Sequence, residues 1–154
     1  MTHVERVHEW AQARGLYDTD DPSVQFGKAV GELGELIIAL ANDDIEGIKD
    51  GIGDVRVCLI NFCKIVDVSF STWTRNVQHP GTVVFDLLQA FYDLSEAQKR
   101  RPYQTYLNVE AINAILNDIA HHYGLTLEEC DNHAWHQIKD RTGRTVNGEF
   151  IKDA

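Results

Sequence analysis

Apolar residues recur at three- and four-residue steps along most of this chain, and scarcely any stretch alternates strictly between apolar and polar. That periodicity confines the buried surface to helical stripes, so the predicted fold is all-α. A first amphipathic helix is expected over about Val4 to Arg14, with Val7, Trp10 and Ala11 on one face and Gly15 as its stop. The acidic turn Asp18-Thr19-Asp20-Asp21-Pro22 opens a second helix reaching about Ala41, with Ala29, Leu33, Leu36, Ile37 and Leu40 on its apolar side. Asn42-Asp43-Asp44 turns into a third, about Ile45 to Val66, where Ile52, Val55, Leu59, Phe62 and Val66 repeat. So short a connection makes these two helices antiparallel neighbours at the centre of a bundle.

Residues Ser69 to Pro80 break the pattern. Two further helices are predicted, about Thr82 to Lys99 and Leu107 to Tyr123, separated by the basic turn Lys99-Arg100-Arg101-Pro102. Thr126 followed three residues later by Glu129 has the spacing of a capping box and opens a last helix, which ends near Lys139 or Asp140. Thr142 to Ala154 reads as a tail. No linker separates two cores, so residues 1–154 are expected to form a single domain. A chain of this length buries roughly 68–70% of its unfolded surface without disulfides or a structural metal. Cys58, Cys63 and Cys130 are odd in number and lack C-x-x-C spacing, which predicts buried free thiols. No apolar run reaches the roughly 18–20 residues of a membrane span, and Met1 to Arg6 lacks a secretory signal pattern, so the expected location is the cytoplasm.

The second helix carries Glu32 and Glu35, and the third carries Asp50 and Asp54. Positions three or four apart are neighbours one turn along, so each helix presents two carboxylates side by side. Two such pairs on antiparallel helices converge on four like charges, a costly arrangement unless a hard cation such as Mg²⁺ takes the oxygens as ligands. Gly31, Gly34, Gly51 and Gly53 flank these carboxylates inside otherwise strong helices. Each costs about 1 kcal/mol relative to Ala, which suggests close approach of a backbone or a ligand at this level of the bundle. Polar stripes reinforce the pattern: Gln25, Lys28, Glu32 and Glu35 along one helix, Asp50, Asp54 and Asn61 along the other. Lys28, one turn before Glu32, is placed either to meet a phosphate or to make an ordinary helical ion pair.

These residues carry a resemblance. The segment Gly31-Glu32-Leu33-Gly34-Glu35-Leu36, with Asp54 and the polar Asn61 seven residues further on, resembles the Glu-x-x-Glu, spacer, Glu-x-x-Asp pattern of the MazG-like all-α nucleoside triphosphate pyrophosphohydrolases, especially the short single-domain forms of bacteriophages and prophages. His8 to Leu16 with Gln25 and Lys28 resembles the segment leading into that motif, and Ala134 to Arg141 with Gly143-Arg144 and Asn147-Gly148 resembles the C-terminal signature of the phage-type members. The chain departs from the pattern at Gly51, where Glu is expected; the nearest carboxylate is Asp50, one residue earlier and shorter in reach. Residues 69–102 match no part of the pattern and read as an inserted helical element, covering the bundle or serving oligomer contacts.

The resemblance implies hydrolysis of the α–β phosphoanhydride bond of a nucleoside triphosphate to the monophosphate and pyrophosphate. Its metal ligands would be Glu32, Glu35, Asp50 and Asp54, holding Mg²⁺ with Mn²⁺ able to substitute. Glu32 or Glu35 would act as general base toward the attacking water. Lys28, Lys139, Arg141 and Arg144 are the candidate phosphate contacts, Trp10 a candidate stacking surface for the base, and Gln25 and Asn61 complete the substrate-binding set. Relatives of this kind are homodimers or homotetramers, and the same is expected here. Nucleotide-pool control or housecleaning is the implied role.

Charge is consistent with that ligand. With 24 acidic against 14 basic side chains, net −10, the chain repels duplex nucleic acid but not a nucleotide delivered with a divalent cation. Two other classes stay in view. A non-catalytic helical interaction module, such as a phage regulator, would make the carboxylates incidental. A di-iron carboxylate bundle also uses Glu on facing helices, but neither Glu32 nor Asp50 has the His three residues later that such sites draw on. The histidines His121, His122, His133 and His136 lack a completing tetrahedral set for a transition metal. P-loop, dinucleotide-binding and Ser/His/Asp patterns are absent from the sequence.

Overall fold

A computed structural model describes residues 1–72, 74, 83–99 and 101–154. The fold is an all-α helical bundle: α1 (His3–Gln12), α2 (Ser23–Ala41), α3 (Ile45–Ile65), α4 (Val83–Ala97), α5 (Pro102–His122) and α6 (Leu127–Ile138), followed by the short strands β1 (Gly143–Val146) and β2 (Glu149–Lys152). Helix starts follow local chemistry. Thr2 and Glu5 form a reciprocal capping box at α1, Thr126 and Glu129 repeat it at α6, and the Asp44 carboxylate accepts from the Gly47 amide at 3.1 Å to start α3. Gly15 takes φ +75° beyond the end of α1, a left-handed conformation that a glycine adopts without penalty.

α2 and α3 form the central antiparallel pair. Leu36 lies against Gly51, Ala39 against Gly47, and Phe26 against Phe62 with ring centroids 5.8 Å apart, so the two sequences run past each other in opposite directions. α6 packs on another side of α3, and α4 pairs with α5. The larger core joins Leu33, Leu36, Ile52, Leu59 and Phe62 to Leu87, Phe91, Leu94, Ile112 and Leu116. A second, smaller core sits where α1 and α6 meet α3, built from Val7, Trp10, Ala11, Leu16, Ile60, Ala134 and Ile138. Cys58, Cys63 and Cys130 are buried free thiols. Among the described residues, no helix is long and apolar enough to cross a membrane.

Three sequence expectations are corrected. Within the expected tail 142–154, residues 143–152 form an antiparallel hairpin, with Val146 paired to Glu149 across Asn147 (φ +51°) and Gly148 (φ +79°). Two successive positive φ values are what an Asn-Gly hairpin turn demands; strands of four residues are too short to register as alternation. α5 begins at Pro102 rather than near Leu107, because a proline at the first helical position needs no amide hydrogen bond and its φ already suits the helix. The interior glycines divide into two kinds. A Cβ at Gly31 or Gly34 would meet nothing within 4 Å, whereas Gly51 and Gly53 are buried at helix–helix contacts. Of the proposed insertion, residues 73, 75–82 and 100 lie outside the described residues; the described part holds α4, whose Leu87, Ala90, Phe91 and Leu94 belong to the larger core.

Gly53 sets the approach of α6 to α3: a Cβ there would press on the Cys130 carbonyl oxygen and lie 2.8 Å from the Ala134 Cβ. The obstacle is backbone, which cannot rotate away. Gly53→Ala is therefore expected to destabilise the fold by about 1–3 kcal/mol in spite of its better helix propensity. Urea unfolding checks this, and an unchanged midpoint would show that α6 shifts freely.

Candidate functional site

From Gly51 to Cys63 every residue of α3 is buried except Asp54. Its carboxylate is therefore set in the most enclosed helix of the bundle, opposite the face of α2 that carries Glu32. Burial is the first cause that pushes the Asp54 carboxyl up to about 7, followed by the nearby charges of Asp50 and Glu32; Arg141 pulls the other way and Glu35 adds a smaller push. The Glu32 carboxyl is also raised, by burial first and then by Glu35 and Asp50, against Lys28 and Arg141. The four predicted carboxylates thus form one electrostatic cluster on α2 and α3. Among the described residues, no three His, Cys, Asp or Glu side chains stand close enough together to hold a metal ion as they are. Mutual repulsion keeps like charges apart, and a cation would have to draw them in.

The donor chemistry fits a hard divalent cation. All four groups offer carboxylate oxygen, and the nearby Cys58 thiol is pushed up to about 12, chiefly by burial and then by Glu32 and Asp54, so it stays protonated and offers no thiolate. Oxygen-only sites suit Mg²⁺ and Mn²⁺ and not thiophilic metals.

Gly51 explains the departure from the Glu-x-x-Asp spacing. A Cβ at this position would lie 2.9 Å from the Leu36 Cβ and 3.1 Å from its Cα, so no longer side chain fits between α3 and α2 without moving a backbone. Asp50, one residue earlier, is half-buried and reaches α6: the Gln137 Nε2 donates to its Oδ1 at 2.6 Å, and the His133 Nε2 lies 3.1 Å from the same oxygen. Neither partner was singled out from sequence as a companion of Asp50. Their i, i+4 spacing on α6 marked one polar face, but which carboxylate it meets depends on how α6 crosses α3.

The predicted substrate contacts are only partly brought together. Arg141, just beyond α6, acts on both Asp54 and Glu32, and its own carbonyl accepts two bonds from the Arg14 guanidinium at 3.0 and 2.6 Å. Lys28 acts on Glu32 and lies 3.9 Å from Glu149 of the hairpin. Lys139 sits 3.9 Å from Asp140, and Arg144 is exposed on β1 opposite Ile151. Gln25 is buried in α2, and buried Asn61 accepts the Tyr17 hydroxyl at 2.6 Å. Trp10 belongs to the second core: its indole N–H donates to the Ile138 carbonyl at 2.9 Å, the Arg14 guanidinium lies over its ring, and Phe150 packs against it. That packing occupies the indole, the candidate stacking surface for a base.

Sequence reading missed a second polar constellation. Buried Arg56 makes a two-pronged contact with Asp131, at 2.7 and 3.0 Å, and donates at 2.7 Å to Asn113. It ties α3 to α6 and α5 on the side of α3 that meets those helices. An arginine inside a run of apolar residues was the available signal.

No protein-family model and no solved structure matches the chain. One relative is an uncharacterized 18.2 kDa protein from the rep-hol intergenic region of Haemophilus phage HP1, 34% identical over 61 residues. The match covers 40% of this chain and 37% of that protein, so the likeness is to a segment of a phage protein.

Proposed function

We propose that the chain is a Mg²⁺-dependent nucleoside triphosphate pyrophosphohydrolase, converting a (d)NTP and water to the (d)NMP and pyrophosphate. The observation that carries this reading is the partly buried Asp54 on α3, its carboxyl raised by that burial first and then by Asp50, Glu32 and Glu35, with the cationic Arg141 acting against them. Excess negative charge in an enclosed place calls for a cation, and a cation so held attracts a polyphosphate. Glu32, Glu35, Asp50 and Asp54 would hold Mg²⁺, which when bound would neutralise the triphosphate and polarise the α-phosphoryl group. Glu35, the more exposed of the first pair, takes the proton of the attacking water as it adds to the α-phosphorus. The bond from that phosphorus to the bridging oxygen breaks, and pyrophosphate leaves. Arg141 and Lys28 hold the β and γ phosphates, with Arg144 and Lys139 as outer contacts. The phage relative is compatible with a place in a host cytoplasm, and the resemblance supports work on nucleotide pools and a homodimer or homotetramer.

The test is pyrophosphate release from a panel of canonical and modified (d)NTPs with Mg²⁺. Release is expected from at least one, and Glu35→Gln is expected to lower it by about 10²–10⁴-fold. No release from any nucleotide, with Mg²⁺ binding unchanged by Glu35→Gln, would overturn the proposal. A non-catalytic interaction module has one observation in its favour: Phe85, Leu88 and Tyr92 share one face of α4 and are 74%, 48% and 62% exposed. On that reading the protein releases no pyrophosphate, and charge substitutions on this face change its association instead.

A further inference from the structure

Asp50 differs from the other three carboxylates in being gripped from a third helix. The Gln137 amide donates to Oδ1 at 2.6 Å and lies 2.9 Å from the His133 Nε2, which is itself 3.1 Å from that oxygen. With its proton on Nε2, the imidazole donates to the same oxygen. Both contacts fall on Oδ1. That leaves Oδ2 as the oxygen a cation would take.

We infer that His133 and Gln137 are positioning residues that make Asp50 the third cation ligand, replacing the carboxylate that Gly51 has no room to carry. The inference rests on the cation site proposed above. An aspartate one residue from the usual position is shorter and starts from a different point on the helix. Left to itself it would sample several rotamers, and ordering it would weaken cation binding. The two contacts from α6 restrict it before the cation arrives, and hydrogen bonds to a ligating carboxylate are worth about 10–100-fold in metal affinity. α6 can provide them because Gly53, one residue before Asp54, lets it approach α3 at the Cys130 carbonyl and Ala134. Gly51 and Gly53 therefore have linked consequences: one removes a ligand position, the other admits the helix that supports its substitute.

Mn²⁺ binding, followed by electron paramagnetic resonance of the free ion, separates the possibilities. Four proteins are compared: wild type, His133→Phe/Gln137→Leu, Asp50→Asn, and the variant carrying all three changes. Gln137 is exposed and His133 half-buried, so the pair is replaceable without loss of fold, which circular-dichroism melting checks. The expected result is Mn²⁺ affinity about 10-fold or more weaker in the double variant, and no loss from the same pair of changes once Asp50→Asn is in place, so that the triple variant matches Asp50→Asn alone. A purely structural role for the pair would leave the losses additive and overturns the inference. Wild-type affinity in the double variant overturns it too, while leaving the cation site standing. Tighter binding would show that α6 competes with the cation for Asp50, again overturning it. No Mn²⁺ binding by the wild type removes the cation site itself and the inference with it.

Discussion

Asp54→Asn is expected to abolish pyrophosphate release and, in the absence of divalent cations, to make the protein more stable at about pH 8. On the proposed function, activity and stability move in opposite directions because the charge that would recruit the cation opposes folding. In the folded protein the carboxyl is raised from its ordinary 3.8 to about 7, by burial first and then by Asp50 and Glu32. Between those two values the folded state binds more protons than the unfolded state, so stability falls as pH rises through the window and stays low above it. At about 1.4 kcal/mol per pH unit, the full penalty has an upper bound of roughly 4 kcal/mol. Asparagine carries no charge but still loses water on burial, so the expected gain is about 1–3 kcal/mol. Glu32 shifts in the same direction for the same reason and steepens the wild-type dependence. His3 and His8 act oppositely: burial holds both below 6.5, so they favour the fold as pH rises toward neutrality. Comparing variant with wild type cancels their contribution. Urea unfolding at about pH 5 and pH 8, with chelator and with Mg²⁺, provides the measurement. Wild type should lose stability toward pH 8 in chelator and recover it with Mg²⁺, and Asp54→Asn should show both effects to a smaller extent, since Glu32 remains. A variant less stable than wild type at pH 8 in chelator would show that the carboxylate is satisfied within the protein and needs no cation.

The second large effect lies away from the site. Asp131→Ala is expected to cost about 3–5 kcal/mol, because it leaves a buried guanidinium without its counter-charge. Arg56 is 3% exposed; besides Asp131 it has the Asn113 Oδ1 at 2.7 Å and the Phe70 ring at 5.3 Å. Neither neighbour carries negative charge. Asn113 is itself committed, donating to the Ser71 carbonyl at 3.3 Å, and His3 approaches Asp131 at 3.6 Å from α1. Replacing both ends of the pair, Arg56→Met with Asp131→Leu, should be far milder, since the desolvation of two charges vanishes together with their attraction. Chemical denaturation of the three variants tests the account. A loss below about 1 kcal/mol for Asp131→Ala would mean that water reaches Arg56 and solvates it.

Helices were legible because the apolar spacing of Val7, Trp10 and Ala11, or of Ile52, Val55, Leu59 and Phe62, repeats within a single element. The capping boxes at Thr2 and Thr126 are equally local: the donor, the acceptor and the chain between them lie within four residues. The hairpin was not legible as strands, although its Asn147-Gly148 turn stands in plain view, because each strand has too few residues to establish a period and Phe150 finds its partner, Trp10, at the far end of the chain. The glycines show the same division. The four glycines that flank the carboxylates look alike along the sequence, but of these only Gly51 and Gly53 face another helix. Nothing local distinguishes them from Gly31 and Gly34.

Sequence by itself determined the all-α class, the central antiparallel pair and the placing of two carboxylates on each of its helices, since each depends on spacing along one helix or on the length of one connection. Tertiary structure alone decided the rest: that Asp54 is the open position in a buried helix, that Gln137 and His133 reach Asp50, that Trp10 is packed among Arg14, Ile138 and Phe150, and that Arg56 meets Asp131. These are meetings between residues far apart in the chain. Their geometry depends on how closely whole helices approach, which is settled by the packing of many side chains at once and is written in no single segment.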